Sequence, residues 1–228
     1  MKKIALFCAL LTVFVSLNIF AEDEKILPEL NDNLTDYSFV SDLEIEVVNE
    51  LNIARTHPKL YADLLTEYRQ YYSGKYINIP GRVTIATNEG TKAVDEAINF
   101  LKKQPELNPF RLSKGMSLGA KDHVVDQGPT GTIGHSSSDG SSPFDRVNRY
   151  GKWQFYAGEN IDYGNNIARE IVFSLIIDDG VKSRGHRNNI FNPRFATVGV
   201  ACGKHAIYNY MCVMDFAQAY LENETEEE

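Results

Sequence analysis

Thr197-Val198-Gly199-Val200-Ala201-Cys202-Gly203-Lys204-His205-Ala206-Ile207-Tyr208-Asn209-Tyr210-Met211-Cys212-Val213-Met214 reads as two β segments joined by a short polar link. Valine occurs in both runs and tyrosine in the second, the composition of a pleated, half-buried surface. Cys202 and Cys212 lie at equal distances from a turn near Ile207, so a hairpin would set the two sulfurs opposite each other. One disulfide is the expectation, with two buried free thiols as the alternative. The strand-like runs extend from Ala196 to Cys202 and from Ala206 to Ala217, and almost everything upstream reads as helix.

Leu43, Val47, Leu51 and Ala54 recur at three- and four-residue spacing behind the cap residue Ser41, so a helix starts near residue 42. His57-Pro58 interrupts it, and Leu60, Leu64, Leu65, Tyr68 and Tyr72 resume the pattern. Residues 73–90, with Gly74, Pro80 and Gly81, form an excursion. Thr91 to Lys103 is a third helix, with Ala93, Ala97, Phe100 and Leu101 inward. Ser113 caps a fourth, with Met116, Leu118, Ala120, Val124 and Val125 inward and an end at Gly128-Pro129. A fifth follows Gly164 through Ile167-Ala168, Ile171-Val172 and Leu175 and ends by Gly180. The fold class is therefore α+β, with a small antiparallel sheet.

The chain ends differ from this body. Met1-Lys2-Lys3 is a positive start, Ile4 to Phe20 is an apolar run of 17 residues containing Ser16 and Asn18, and Ala21 precedes a charged stretch. That is the pattern of a signal peptide over residues 1–21, and it falls short of the roughly 18 to 20 apolar residues of a membrane span. The expected product is exported: extracellular, or periplasmic in a Gram-negative cell, with no integral membrane span. Residues 22–40 read as a loosely attached, polar N-terminal segment, 41–220 as the folded domain and 221–228 as an acidic tail. Loss of residues 1–21 leaves 21 basic against 31 acidic residues, a formal charge of −10 compared with −8 for the full chain. Such a chain lacks the basic surface of a nucleic-acid partner. Cys8 leaves with the leader, so Cys202 and Cys212 are an even pair in an oxidising compartment.

Chemistry-bearing side chains recur in one segment. Gly134-His135 and Gly185-His186 flank Gly158-Glu159-Asn160-Ile161, and Asp178 closes the fifth helix. Each lies at an element end, where a rigid scaffold can present it into a common cleft. Two imidazoles with one or two carboxylates suit a borderline divalent cation, zinc above all. The histidines are 51 positions apart, so loop histidines that merely hydrogen-bond are the plainer alternative. Ser136, Ser137 and Ser138 fit a polar turn with Asp139-Gly140 better than a nucleophile. Arg146 and Arg149 fit a short helix binding local carbonyls or acids. Arg187, Asn188 and Asn189 fit a clasp behind His186. His57, His123 and His205 read as surface or locally bonded, and Trp153, Phe155 and Tyr156 as core rather than cleft. His-Glu-x-x-His and Gly-x-Ser-x-Gly are both missing from the sequence.

These residues resemble a family. Leu112, His135-Ser136-Ser137, Asp139-Gly140, Pro143, Arg146-Val147, Tyr150-Gly151, Ala157-Gly158-Glu159-Asn160-Ile161, Gly185-His186-Arg187-Asn188-Asn189-Ile190, Asn192-Pro193-Arg194-Phe195 and Val198-Gly199-Val200 follow one another as in the CAP superfamily. That superfamily takes in cysteine-rich secretory proteins, antigen 5 and plant pathogenesis-related proteins. The form here, an SCP domain with few cysteines, is similar to that of exported bacterial and protist members. With Asn52-Ala54-Arg55 included, the resemblance covers roughly Ser41 to Tyr220.

The resemblance implies an α-β-α sandwich, helices on both sides of a small antiparallel sheet, and an open cleft holding two histidines and two acids. His135, Glu159 and His186 match three of the four. The fourth acid is normally a glutamate three residues after a tryptophan; here the tryptophan position is Leu175 and the acid is Asp178, one methylene shorter. The family has been linked to sterol, lipid and divalent-metal binding and, in scattered cases, to hydrolysis. Two readings follow. One is a secreted binding or effector module taking a divalent cation and a lipid, sterol or peptide without turnover. The other is a zinc-dependent extracellular hydrolase or protease, with His135 and His186 as metal ligands and Glu159 as general base.

Overall fold

The computed structural model describes residues 37–223. The leader, residues 22–36 of the N-terminal segment and the tail from 224 onward lie outside the described residues. Among the described residues there are seven helices and two small sheets, in the order α1 (Asp42–Thr56), α2 (Pro58–Arg69), β1 (Tyr72–Ser73), β2 (Tyr76–Ile77), β3 (Ile85–Ala86), α3 (Thr91–Lys103), β4 (Arg111–Leu112), α4 (Lys114–Thr130), α5 (Pro143–Val147), β5 (Gly151–Tyr163), α6 (Ala168–Ile177), α7 (Gly185–Ile190), β6 (Thr197–His205) and β7 (Asn209–Glu222).

β6 and β7 form the expected hairpin, with Cys202 directly opposite Cys212 and the two joined in a disulfide. Alternation along the hairpin sorts its side chains into two layers. Val198, Val200, Cys212, Met214 and Phe216 face the large core built with α1, α2, α3 and α6. Ala201, Met211 and Val213 face Ala120 and Val124 of α4. Helices thus cover both faces of the sheet, the α-β-α arrangement of an α+β fold. Gly199 permits the close approach of α4: a Cβ there would strike the Met116 backbone.

Several elements depart from the sequence reading. β5, thirteen residues long, was not expected; it pairs antiparallel with β7 from Gly151 to Tyr163. Its alternation is broken by a bulge after Gln154, where Phe155 takes a φ of 66°, and a period-2 test fails across such an insertion. The main sheet is mixed rather than purely antiparallel, because β4 runs parallel to β6 in the order β4-β6-β7-β5. The excursion contains a second sheet, β1-β2-β3, whose two-residue strands are too short to leave a periodic signal. α4 continues through Pro129 to Thr130 and stops at left-handed Gly131. Val125 points to solvent, 65% exposed, not inward. β7 takes in Leu221 and Glu222, which charge alone places in the tail; Glu222 accepts hydrogen bonds from Ser113 Oγ (2.6 Å) and Gly115 N (2.8 Å).

Candidate functional site

β5 is an edge strand, and its residues Glu159 and Asn160 reach around that edge in opposite directions. On the α4 face, Glu159 is buried, and its Oε1 accepts a hydrogen bond from His135 Nδ1 at 2.7 Å. Its other oxygen, Oε2, takes Arg146 Nη2. Arg146 is fully buried on α5 and also donates to the carbonyl of His135 (3.0 Å) and to Ser137 Oγ (3.2 Å). The guanidinium therefore fixes both the histidine's carboxylate and the loop that carries the histidine. His123, on α4, completes the clamp from beneath: its ring nitrogens meet Ser137 Oγ at 3.0 Å and the Gly134 carbonyl at 2.9 Å. Burial, then the nearby Arg146 charge, holds the His123 imidazole below its ordinary pKa. Gly134 has a φ of 108°, a turn conformation that glycine adopts freely.

On the other face, α6 ends at Asp178 in the left-handed conformation, φ 57° and ψ 45°. That cap turns its buried carboxylate toward α7: Oδ1 accepts from His186 Nδ1 at 2.7 Å and Oδ2 from the His186 backbone N–H at 2.9 Å. The shorter acid thus still reaches its histidine, because the helix cap brings the backbone close. Asn160 donates to the His186 carbonyl (3.0 Å), and Asn189 bonds Asn160 Oδ1 (2.9 Å). Arg187 holds the carbonyls of Ile176 and Ile177 at the end of α6. The next acid, Asp179, serves elsewhere, accepting from the backbone N–H groups of Asn88 (2.6 Å) and Glu89 (2.7 Å).

The two histidines are consequently alike. Each has Nδ1 bonded to a buried carboxylate, and neither Nε2 has a hydrogen-bond partner among the described residues. A carboxylate on Nδ1 fixes the neutral ring in the tautomer whose Nε2 lone pair is free. The Glu159 hydrogen bond raises the His135 pKa, with burial pulling the other way. The His135 side chain is 55% exposed and that of His186 26%, so both rings meet solvent. His186 and Asp178 line a cavity of about 390 Å³ whose walls include Ile133, Tyr163 and Tyr208. Ile133 lies two residues before His135, and the Gly134 N–H donates to Tyr163 Oη at 3.0 Å. His135 is thereby tied to the rim of the same cavity.

As a metal centre, this donor set offers two imidazole Nε2 atoms, with Glu159 and Asp178 as outer partners. Among the described residues no group of three or more His, Cys, Asp or Glu side chains is gathered as a first coordination shell.

Two buried acids escaped the sequence reading. Asp215 on β7 is the cross-strand neighbour of Glu159. Burial, then the Glu159 charge, pushes its carboxyl well above the usual range, and its Oδ2 has no partner among the described residues. Asp162 lines the cavity; burial raises it to about 6, against the pull of hydrogen bonds from Ser174 and Asn165. A charged residue inside an otherwise apolar strand, as in Val213-Met214-Asp215-Phe216-Ala217, was the available signal. His123 and His205 are buried and locally bonded rather than superficial, His205 Nε2 meeting the Thr132 carbonyl at 2.9 Å. Trp153 packs on Met116, Val147 and Ala217, whereas Phe155 and Tyr156 are 75% and 46% exposed, since the bulge turns them outward.

The profile of the cysteine-rich secretory protein family, CAP, matches residues 61–216, and the chain belongs to that family. It is 27% identical over 184 residues to the uncharacterized protein YkwD of Bacillus subtilis (strain 168), covering 79% of this chain and 68% of that one. Among solved structures, an outer surface protein of Borrelia burgdorferi is 20% identical with a TM-score of 0.41, over 49% of this chain and 78% of that one. An extracellular SCP-domain protein of Bacillus anthracis is 21% identical with a TM-score of 0.39; the match covers 56% of this chain and 37% of that protein. Among the described residues no helix is long and apolar enough to cross a membrane.

Proposed function

We propose that this is an exported CAP-domain binding module whose cleft receives its ligand on the free Nε2 atoms of His135 and His186, without turnover. The leader-like first 21 residues and the family support export. One observation carries the site: two solvent-facing imidazoles are each held at Nδ1 by a buried carboxylate, Glu159 and Asp178, at 2.7 Å. That arrangement orients a pair of neutral nitrogen donors at little entropic cost and suits a divalent cation of the zinc type, with room for an organic ligand in the adjoining cavity.

A hydrolytic zinc takes three protein ligands and a base that can reach water. Here the imidazoles are two, and both Glu159 oxygens are already engaged, by His135 and Arg146. The geometry therefore favours binding over hydrolysis.

The test is a calorimetric zinc titration of the chain freed of its leader, at pH 7.5 and 5.5, repeated on His135→Ala and His186→Ala. The expected result is one site, weakened about tenfold or more at the lower pH as the imidazoles protonate, and lost in both variants. Identical titrations for the parent and the variants would remove the two-histidine site. Ester or peptide turnover that Glu159→Gln abolishes, with the fold intact by circular dichroism, would replace binding with hydrolysis.

A further inference from the structure

The cavity beside His186 has a wall that the paired histidines do not account for. Three successive residues of β5, namely Ile161, Asp162 and Tyr163, line it. Successive side chains of a strand point to opposite faces, so a wall formed by one face would show every second residue. Three in a row mean that the strand presents its edge. β5 is the outermost strand of its sheet, and every second residue of such a strand turns its N–H and C=O away from the neighbouring ladder. Among the described residues, none of these three has a backbone hydrogen bond outside its pairing with β7.

The remaining walls describe what could lie along that edge. Across the cavity stands the cross-strand row Tyr72, Ile77 and Ile85 of the small sheet. Asp162, Asp178 and Asp179 also line it, accepting hydrogen bonds from Asn165, His186 and Asn88 respectively, and among the described lining residues there is no lysine or arginine. An unpaired strand edge offers main-chain hydrogen bonds, an apolar wall accepts alternate side chains, and three carboxylates with no lysine or arginine among them favour a positive charge.

We propose that this slot binds an extended peptide segment, which adds as a strand to β5 at Ile161–Tyr163, with one basic side chain directed to Asp162 and its apolar neighbours against the small sheet. The proposal rests on the reading of the cleft as a binding site and names the class of its organic ligand. Backbone pairing supplies affinity, and the acid selects lysine or arginine at one position. The adjoining His135 and His186 are left to the cation.

The probe is an end-capped pentapeptide with a central lysine, flanking valines and terminal threonines, titrated by calorimetry into the leader-free chain with and without zinc. Saturable binding is expected, weakened about tenfold or more both when alternate backbone amides of the probe are N-methylated and when its lysine is replaced by glutamate. Asp162→Asn should abolish the preference for lysine over glutamate while leaving the effect of N-methylation. Should that variant fold poorly, the N-methylated probe on the parent protein still decides the strand-addition claim. Equal binding of the parent and N-methylated probes would overturn the proposal, as would a silent pentapeptide up to about 1 mM. Saturation by dodecanoate with the peptide silent would likewise overturn it and assign the slot to an acyl chain. Zinc uptake with a silent peptide would sink this inference alone; peptide binding without zinc uptake would sink only the cation reading.

Discussion

Asp215 shows how a single side chain sets the character of the site. It stands in the middle of β7, 2% exposed, across the ladder from Glu159. Burial and the Glu159 charge both push the Asp215 carboxyl up, and Arg146, bonded to Glu159, pulls the other way. A carboxyl raised in the folded state binds a proton that the unfolded chain releases above about pH 4, so it lowers stability progressively as pH climbs from there. Asp215→Asn, neutral at every pH and of the same shape, is expected to be more stable than the parent at pH 7.5, with the gap narrowing toward pH 4.5, by urea denaturation. A variant less stable at both pH values would mean that an ionised Asp215 is required. His135 has the opposite sign: its raised pKa adds stability that is complete below about pH 6.5 and fades as pH rises through the folded value. Glu159→Gln should therefore lower the His135 pKa, followed by NMR.

At the scale of elements, the segment carrying His186 is held by a residue distant in sequence. Arg55, fully buried on α1, donates to the carbonyls of Asn108 (2.8 Å), Ile190 (2.6 Å), Asn192 (3.2 Å) and Phe195 (3.0 Å). Its guanidinium also stacks 3.9 Å from the centre of the Phe110 ring. Lysine has neither the planar fork nor enough donors, so Arg55→Lys should destabilise the fold by about 2–4 kcal/mol and broaden the NMR signals of residues 186–195. An unchanged unfolding midpoint would contradict this role. Sequence reading placed α1, α2, α3 and α6 well because each carries an apolar stripe behind a recognisable start or before a breaker. It missed β5 because the Phe155 bulge resets the alternation and because Glu159, Asn160 and Asp162 put polar groups where a buried strand usually carries apolar ones. Those polar groups belong to the candidate site, so the local pattern fails at the strand that carries it.

For the molecule as a whole, the same sheet that organises the core also positions the candidate site. β6 and β7 bury their two faces against helices, while β5, outermost, leaves an edge around which His135 and His186 approach from opposite layers. The disulfide staples the hairpin with a sequence separation of 10, and its Cys212 is the cross-strand neighbour of Asp162 on β5. Closing so short a loop is worth about 2–3 kcal/mol through the unfolded chain. Joint replacement of Cys202 and Cys212 by alanine should cost about that much by denaturation and leave the zinc titration unchanged; loss of zinc binding in a folded double variant would show that the staple shapes the cleft. Family and layer order were legible because the motif residues His135, Glu159 and His186 keep their order and spacing. The two-sided approach to the cleft was not, since it depends on which face of an unrecognised strand each neighbour occupies.

Binding through both rings requires that they share one protonation pattern, with Nδ1–H donated to a carboxylate and Nε2 open. Long-range proton–nitrogen NMR of the histidine rings at pH 7.5, with and without zinc, reads this directly. His135 and His186 are both expected as Nδ1–H tautomers with unprotonated Nε2, and zinc is expected to shift both Nε2 signals together while His123 and His205 stay in place. An Nε2–H tautomer at either ring, or a zinc response at one ring alone, would contradict it.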